Sequence, residues 1–142
     1  MFFGQYEHTL DDKGRLVIPS KMREEAGTKV YVMKGYDGAL SIFKELEFYR
    51  LQEKLRSLDY TQKVARDFLR TQLSSTCELE VDKQGRVQLP AQLLKRYHIG
   101  KEVIVVGVGD RMEVWDKEAF LVYEKAANDS FEENAEHLAK HD

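Results

Sequence analysis

The chain has 142 residues, of which 42% are hydrophobic and 33% are charged, and its formal net charge is −3. These values are typical of a soluble globular protein that folds as one compact unit or as two small sub-domains sharing a core. No window of eighteen apolar residues is present, so we expect no membrane-spanning segment, and the start "MFFGQYEHTL" lacks the pattern of a secretory signal. The single cysteine, Cys77, cannot form an internal disulfide, which fits a reducing cytoplasm.

Charge is distributed unevenly along the chain. Residues 82–101 contain five basic residues and one acidic residue, whereas residues 110–142 contain four basic and ten acidic residues. A bound polyanion responds to the local potential rather than to the net charge, so the negative total does not exclude nucleic acid as a partner.

The first part of the chain predicts two strands around a charged turn, then a short helix and a β-hairpin. "YEHTL" alternates polar and apolar side chains, as a half-buried strand does, and "RLVI" resumes a strand after the turn. Gly14 gives that turn access to positive φ. Pro19 suits the start of the short helix "SKMREEAG", and "KVYVMKGYDGALSIFK" predicts strand, turn and strand.

A helical hairpin is predicted next, with Asp59 or Thr61 as the cap of its second helix. Each helix carries an apolar stripe at helical spacing, formed by Phe48, Leu51, Leu55 and Leu58 and then by Val64, Ala65, Phe68 and Leu69. Such stripes can form a dimerising zipper, but more often they pack on their own protein.

The plan of the first part is then repeated. An offset of 71 residues aligns Asp11 with Asp82, Gly14-Arg15 with Gly85-Arg86, Leu16 with Val87, and Pro19 with Pro90. Both prolines of the chain belong to these pairs, so a coincidence of turn residues explains the match poorly. At an offset of 72, "LSIF" from Leu40 matches "MEVW" from Met112, which predicts the same closing β-hairpin.

The C-terminal segment predicts a last helix after Trp115. It carries Phe120, Leu121 and Tyr123 and then becomes acidic and polar toward Asp142. We expect such an end to fray.

No constellation of side chains indicates catalysis, a cofactor or a metal ion. Cys77 stands in an alternating strand without a neighbouring histidine, which favours a small core or interface residue over a nucleophile. His137 and His141 have the helical spacing of metal ligands, but no third ligand is adjacent. The "GVG" around Gly107 lacks the lysine and Ser/Thr of a phosphate-binding loop. We therefore expect no catalytic residues, no metal, no cofactor and no enzymatic activity.

Two charged corners are the strongest functional signal, and we define them as residues 11–15 and residues 82–86. Arg15 and Arg86 can contact phosphate oxygens or the O6 and N7 edge of guanine, while Lys13 and Lys83 suit non-directional phosphate contact. Strand-borne turns of this kind can enter a DNA groove. A second interpretation is structural and compatible with the first: each arginine pairs with the aspartate of a corner and fixes the turn.

The two corners with their flanking segments resemble a known family. "DDKGRLVIPSKMRE" and "DKQGRVQLPAQLLKRYHIGKEV" resemble the tandem motifs of MraZ proteins, bacterial transcriptional regulators of the AbrB-like superfamily. The start "MFFGQYEHTLDDKGR" and the later "EVWDKEAFLVYE" extend the resemblance over roughly residues 1–125.

The resemblance implies an α+β fold. Two tandem AbrB-like swapped-hairpin β halves would form a pseudo-twofold barrel, with a helical hairpin between them and a C-terminal helix. The corresponding division is repeat 1 at 5–47, helical connector at 48–75, repeat 2 at 76–119, and C-terminal helix with acidic tail at 120–142.

The resemblance also implies a function. It predicts a cytoplasmic, nucleoid-associated homo-oligomer, arranged as a ring, that binds double-stranded DNA at short direct repeats upstream of its own division and cell-wall gene cluster. The DNA-contacting turn of the family maps onto Lys13, Gly14 and Arg15 and, in the second copy, onto Lys83 and Arg86, with Gln84 where Lys13 aligns. An antitoxin-like protein-interaction module is the alternative function.

Overall fold

The structure is a computed structural model that describes residues 1–141. It is of the α+β class, and its described part contains eight strands and six helices. The strands are β1 (Phe2–Thr9), β2 (Arg15–Val17), β3 (Lys29–Lys34), β4 (Leu40–Lys44), β5 (Cys77–Glu80), β6 (Arg86–Gln88), β7 (Glu102–Gly109) and β8 (Arg111–Asp116). The helices are α1 (Ser20–Ala26), α2 (Glu45–Arg56), α3 (Lys63–Ser74), α4 (Ala91–Arg96), α5 (Lys117–Asp129) and α6 (Phe131–Lys140).

The strands form two antiparallel sheets. Six of them make one sheet in the order β1-β7-β8-β4-β3-β5, and β2 with β6 makes a separate two-stranded ribbon. The first strand of each repeat pairs with the third strand of the other repeat, β1 with β7 and β5 with β3. The repeats are therefore interlocked rather than laid side by side.

Residues that align in the two repeats also face each other in the sheets. Leu16 aligns with Val87 and is its pairing partner in the ribbon. Ser41 aligns with Glu113, and these two pair between β4 and β8 at the centre of the large sheet. The β2–β6 and β4–β8 ladders are thus each symmetric about an aligned pair.

The predicted barrel does not close in residues 1–141. β1 and β5 remain the two edges of the large sheet, and β2 and β6 pair only with each other. The charged corners explain this, because each turns the chain sharply after β1 or β5. The three-residue strand that follows therefore leaves the large sheet and finds its partner across the repeats.

Three apolar clusters hold the layers together. The largest lies between the large sheet and the layer formed by the ribbon with α1 and α4, and includes Ile18, Leu89, Val32 and Val105. On the opposite face of the sheet, α2 covers a cluster in which Tyr31 and Phe48 stack with ring centroids 3.8 Å apart. There α5 covers Trp115 with Phe120. Alternate residues of each strand supply the two faces, as strand geometry requires.

The helical hairpin packs only in part on its own protein. α2 buries Phe48 and Leu55, whereas α3 has no fully buried residue. The predicted cap of α3 is wrong: the helix begins after Gln62, and the Asp59 carboxylate instead accepts a hydrogen bond from the backbone N–H of Thr61 at 3.0 Å. An Asx turn at Asp59 satisfies that carboxylate before the helix starts.

The C-terminal segment forms two helices where one was predicted. The break falls at Ser130, after Asn128 and Asp129, two residue types of low helix propensity. Among residues 1–141, no helix is both long enough and apolar enough to cross a membrane.

Candidate nucleic-acid interface

The first charged corner is a tight turn organised by the Asp11 carboxylate. Oδ1 of Asp11 accepts hydrogen bonds from the backbone N–H groups of Lys13 and Arg15, each at 2.9 Å. Its Oδ2 accepts one from Arg15 Nε at 2.5 Å. Gly14 closes the turn by donating to the Asp11 carbonyl oxygen at 2.9 Å, with φ at +75°. The acid is therefore the internal scaffold of the corner.

The second corner repeats this geometry. The Asp82 carboxylate accepts from the backbone N–H of Gln84 at 2.9 Å and of Arg86 at 2.8 Å, and from Arg86 Nε at 2.8 Å. Gly85 takes φ of +77° and donates to the Asp82 carbonyl oxygen. Asp82 and Gly85 therefore form the same hydrogen bonds in the second corner as Asp11 and Gly14 form in the first.

The pKa values of the two aspartates respond to this arrangement. The backbone N–H of Arg15 is the main cause that lowers the pKa of Asp11 below its ordinary value of 3.8, and the N–H of Arg86 does the same for Asp82. The two carboxylates therefore stay ionised at neutral pH and hold their arginines in ion pairs.

Each corner is also tied to the opposite repeat. The Gly85 carbonyl oxygen accepts from the Ile18 N–H at 2.8 Å, and the Gly14 carbonyl oxygen accepts from the Leu89 N–H at 3.0 Å. The residues that follow, Pro19 and Pro90, are the N-caps of α1 and α4. The prolines thus stand where the ribbon ends and the short helices begin, at the helix starts predicted for them.

The ribbon brings the two corners onto one surface. Arg15 pairs with Gln88 and Arg86 with Val17, while Leu16 and Val87 between them are buried on the inner side. Side chains alternate between the faces of a strand, so Arg15, Val17, Arg86 and Gln88 share the outer side, which we call the ribbon face. The two arginines are diagonal neighbours, with Cα atoms roughly 7–8 Å apart for that relation.

Several cationic groups of this surface are free to bind a ligand. Arg15 and Arg86 use Nε for their aspartates, and their Nη atoms donate no hydrogen bond to residues 1–141. Lys13 and Lys83 are exposed at the two corners, and neither forms an ion pair within the described chain. The four cations predicted from sequence therefore lie together along the ribbon and its ends.

Arg23 is a cation of this region that the sequence pattern did not indicate. It projects from α1 and donates to the Ile18 carbonyl oxygen, at 3.0 Å from Nη2, and its guanidinium lies against Gly85. The equivalent position of the second repeat is Leu94, which lies near Gly14. No sequence motif marks Arg23, because arginine is an ordinary polar residue for a short surface helix such as α1.

A groove of about 550 Å³ adjoins the first corner on the α4 side. Lys13, Lys95 and Lys101 line it together with Asp11 and Asp12. Lys101 forms an ion pair with Asp12 at 2.7 Å, whereas Lys95 is exposed and has no such partner within residues 1–141. The basic segment seen in the sequence thus extends the cationic surface beside one corner.

The remaining candidate residues form no site in the described part of the chain. Cys77 is half-buried on β5 with a free thiol. His137 and His141 stack on each other with ring centroids 4.2 Å apart. Among residues 1–141, no group of three His, Cys, Asp or Glu side chains is placed to hold a metal ion.

Comparison with known proteins gives the family. The family model described as the MraZ protein, antitoxin-like, matches the chain twice, over residues 1–71 and 73–142. The chain belongs to the MraZ family. The two matches of the MraZ model fall on the two repeats found in the sequence.

Curated MraZ relatives align over nearly their whole length. The protein from Caldanaerobacter subterraneus subsp. tengcongensis is 48% identical over 97% of this chain and 96% of its own. Those from Thermoanaerobacter sp. (strain X514) and Moorella thermoacetica are 46% and 42% identical, over 97% and 100% of this chain and 96% and 99% of their own. All three are named transcriptional regulator MraZ, which supports a role in the regulation of transcription.

Proposed function

We propose that the protein is a sequence-specific DNA-binding regulator of transcription that places its ribbon face in a DNA groove. The observation that carries the proposal is the convergence of Arg15 and Arg86 on one outward face, where the Nη atoms of each form no hydrogen bond within residues 1–141. An arginine fork can pair with the O6 and N7 atoms of guanine, and a two-stranded ribbon fits the width of the major groove. Lys13 and Lys83 at the ends of the ribbon would contact phosphates.

The family resemblance supports a more detailed proposal. The two interlocked repeats are AbrB-like halves, and several copies assemble into a ring that binds short direct repeats upstream of the protein's own division and cell-wall gene cluster. One ribbon spans only a few base pairs, so a single unit should bind weakly. A ring that engages several repeats at once gains affinity through multivalency. Such an autoregulatory protein acts in the cytoplasm, in association with the nucleoid.

Substitution of Arg15 tests the proposal. We expect Arg15→Ala to weaken binding to the DNA upstream of the protein's own gene at least tenfold, or about 1.4 kcal/mol, in a gel-shift titration. Lys125→Ala is the matched control, because Lys125 is an exposed cation of α5 away from the ribbon, and it should leave the affinity unchanged. Undiminished affinity of a folded Arg15→Ala protein would remove Arg15 from the interface.

An antitoxin-like interaction module is the second candidate function. The family description and the exposed side of α3 favour it, since an uncovered apolar helix can bind another protein. Affinity purification from the native cell distinguishes the two functions. Stoichiometric recovery of a second protein without DNA would favour the module, and recovery of a discrete DNA sequence would favour the regulator.

A further inference from the structure

An open apolar groove runs between α2 and α3. It has a volume of about 330 Å³ and is lined by Gln52, Leu55, Arg56, Leu58, Tyr60, Leu69 and Leu73, and we call it the hairpin groove. Tyr60 is 57% exposed and Leu73 47% exposed. A contiguous apolar surface of this kind usually marks a binding site for another macromolecule.

The C-terminal helix α6 presents a matching apolar stripe. Phe131, Ala135 and Leu138 follow at spacings of four and three residues, which places them on one side of the helix. Phe131 is 69% exposed and Leu138 67% exposed, and α6 has no buried residue. A helix of ten residues with this pattern is marginal alone in water and gains stability when its apolar side is covered.

The two surfaces carry opposite charge. α3 holds three basic residues and one acidic residue, whereas α6 holds one basic residue and three acidic residues. Arg56 lines the hairpin groove, and the Arg70 guanidinium lies 6.0 Å from the centre of the Tyr60 ring. On α6, Glu132 and Glu136 flank the apolar stripe at one side, where they can face these arginines.

The dimensions agree as well. Ten helical residues span about 15 Å, and the twelve-residue helices of the hairpin span about 18 Å each. Phe131 and Leu138 lie seven residues apart, or about 10 Å along the axis. The apolar stripe of α6 is therefore shorter than either helix of the hairpin.

We propose that α6 of one copy of the chain binds in the hairpin groove of a second copy. The contact joins two different surfaces, so it is heterologous and repeats from copy to copy until a ring closes. This inference rests on the proposed assembly of the protein and adds the surfaces that make it. Apolar burial supplies affinity, and the opposite charges set the orientation.

Two complementary variants of the full chain test the contact. The first is the double substitution Phe131→Asp with Leu138→Asp, which places charges on the apolar stripe of α6. The second is Leu73→Asp, which places a charge in the hairpin groove. Tyr36→Asp is the matched control, since Tyr36 is 59% exposed in the β3–β4 turn outside both surfaces. Circular dichroism should show the same folded spectrum for all of them. Sedimentation velocity at micromolar concentration then gives the assembly state.

We expect the control to assemble like the unsubstituted chain and each variant alone to sediment as one chain. An equimolar mixture of the two variants should form a species of two chains, because one intact α6 then meets one intact groove and the contact cannot propagate. Persistence of the full assembly in either folded variant, or a mixture that stays monomeric, would overturn the proposal. An unsubstituted chain that never assembles would instead contradict the proposed oligomer itself.

Discussion

Arg15 and Arg86 each divide their guanidinium between two tasks. Nε is committed to an aspartate within the same corner, and the Nη atoms donate to no group in residues 1–141. The ion pair fixes the plane of the guanidinium before any ligand arrives, which reduces the entropy lost on binding. The structural and the DNA-contacting interpretations of these arginines are therefore compatible, as the sequence pattern allowed.

Gly14 and Gly85 share a positive φ, but their surroundings differ. An added methyl group at Gly85 would meet the Arg23 guanidinium, with Nε at 2.2 Å, whereas at Gly14 the nearest atom would be the Leu89 carbonyl oxygen at 3.2 Å. We expect Gly14→Ala to lower the free energy of unfolding by about 1–2 kcal/mol through backbone strain. Gly85→Ala should cost about 1 kcal/mol more, because Arg23 must leave its hydrogen bond to Ile18.

Urea denaturation of the two glycine variants measures this difference. The same pair in an Arg23→Ala background is the control, since the extra cost at Gly85 should then disappear. If Gly14→Ala and Gly85→Ala lower the free energy of unfolding equally in the parent background, Arg23 moves away from the added methyl group without destabilising the protein.

At the scale of elements, the sequence was most informative where a residue type is required by backbone geometry. The repeated glycine, aspartate and proline predicted two similar turns, each between two strands, and both turns are present. The alternation of polar and apolar residues in "RLV" and "RVQ" agrees with the ribbon face. It places the arginines on the outer side and Leu16 and Val87 on the inner side.

What the sequence could not give were the long-range pairings. Nothing local specifies that β2 pairs with β6 rather than with β1, so the open sheet and the meeting of the two corners on one ribbon came only from the structure. Arg23 was missed for the same reason, since it approaches the second corner from the other repeat. The break at Ser130 was missed because helical periodicity continues across it in the sequence.

The corners should depend on pH in a defined direction. Because the pKa values of Asp11 and Asp82 are lowered by folding, their stabilising contribution is complete above the ordinary value of 3.8 and is lost as the pH falls through the lower folded values. We expect Asp82→Asn to be less stable than the parent near pH 7, and the gap between the two to shrink as the pH approaches 3.

Urea midpoints of the parent and of Asp82→Asn between pH 3 and pH 7 check this expectation. Comparing the two proteins at each pH cancels the titration of other carboxylates, such as Glu25 and Asp67, whose pKa values are also lowered. A gap of constant size over the whole range would show that the charge of Asp82 does not hold the turn.

At the scale of the whole molecule, interlocking explains why the charged corner occurs twice. β1 pairs with β7 and β5 with β3, so neither repeat has its full set of partners without the other. The same exchange places one arginine from each repeat on the ribbon face. Duplication therefore serves the core and the proposed DNA interface together. The ribbon face is nearly symmetric, but its two halves differ because Val17 in the first repeat corresponds to Gln88 in the second.

The proposed DNA contact should make the DNA affinity of the protein depend on salt concentration, although the net charge of the molecule is −3. Each phosphate contact releases counterions, so the logarithm of the binding constant falls with the logarithm of salt concentration with a slope of about −0.9 per contact. We expect the double substitution Lys13→Gln with Lys83→Gln to make the slope shallower by about two units for each ribbon engaged. Fluorescence anisotropy over a series of potassium chloride concentrations measures it.

The control for the salt series is Lys125→Gln, which removes the same charge from α5 and should leave the slope unchanged. Because the lysines lie at the ends of the ribbon rather than on its face, their loss should weaken binding to specific and unrelated DNA by similar factors. An unchanged slope in the double variant would place the phosphate contacts elsewhere, and the groove lined by Lys95 beside the first corner would then be the next surface to substitute.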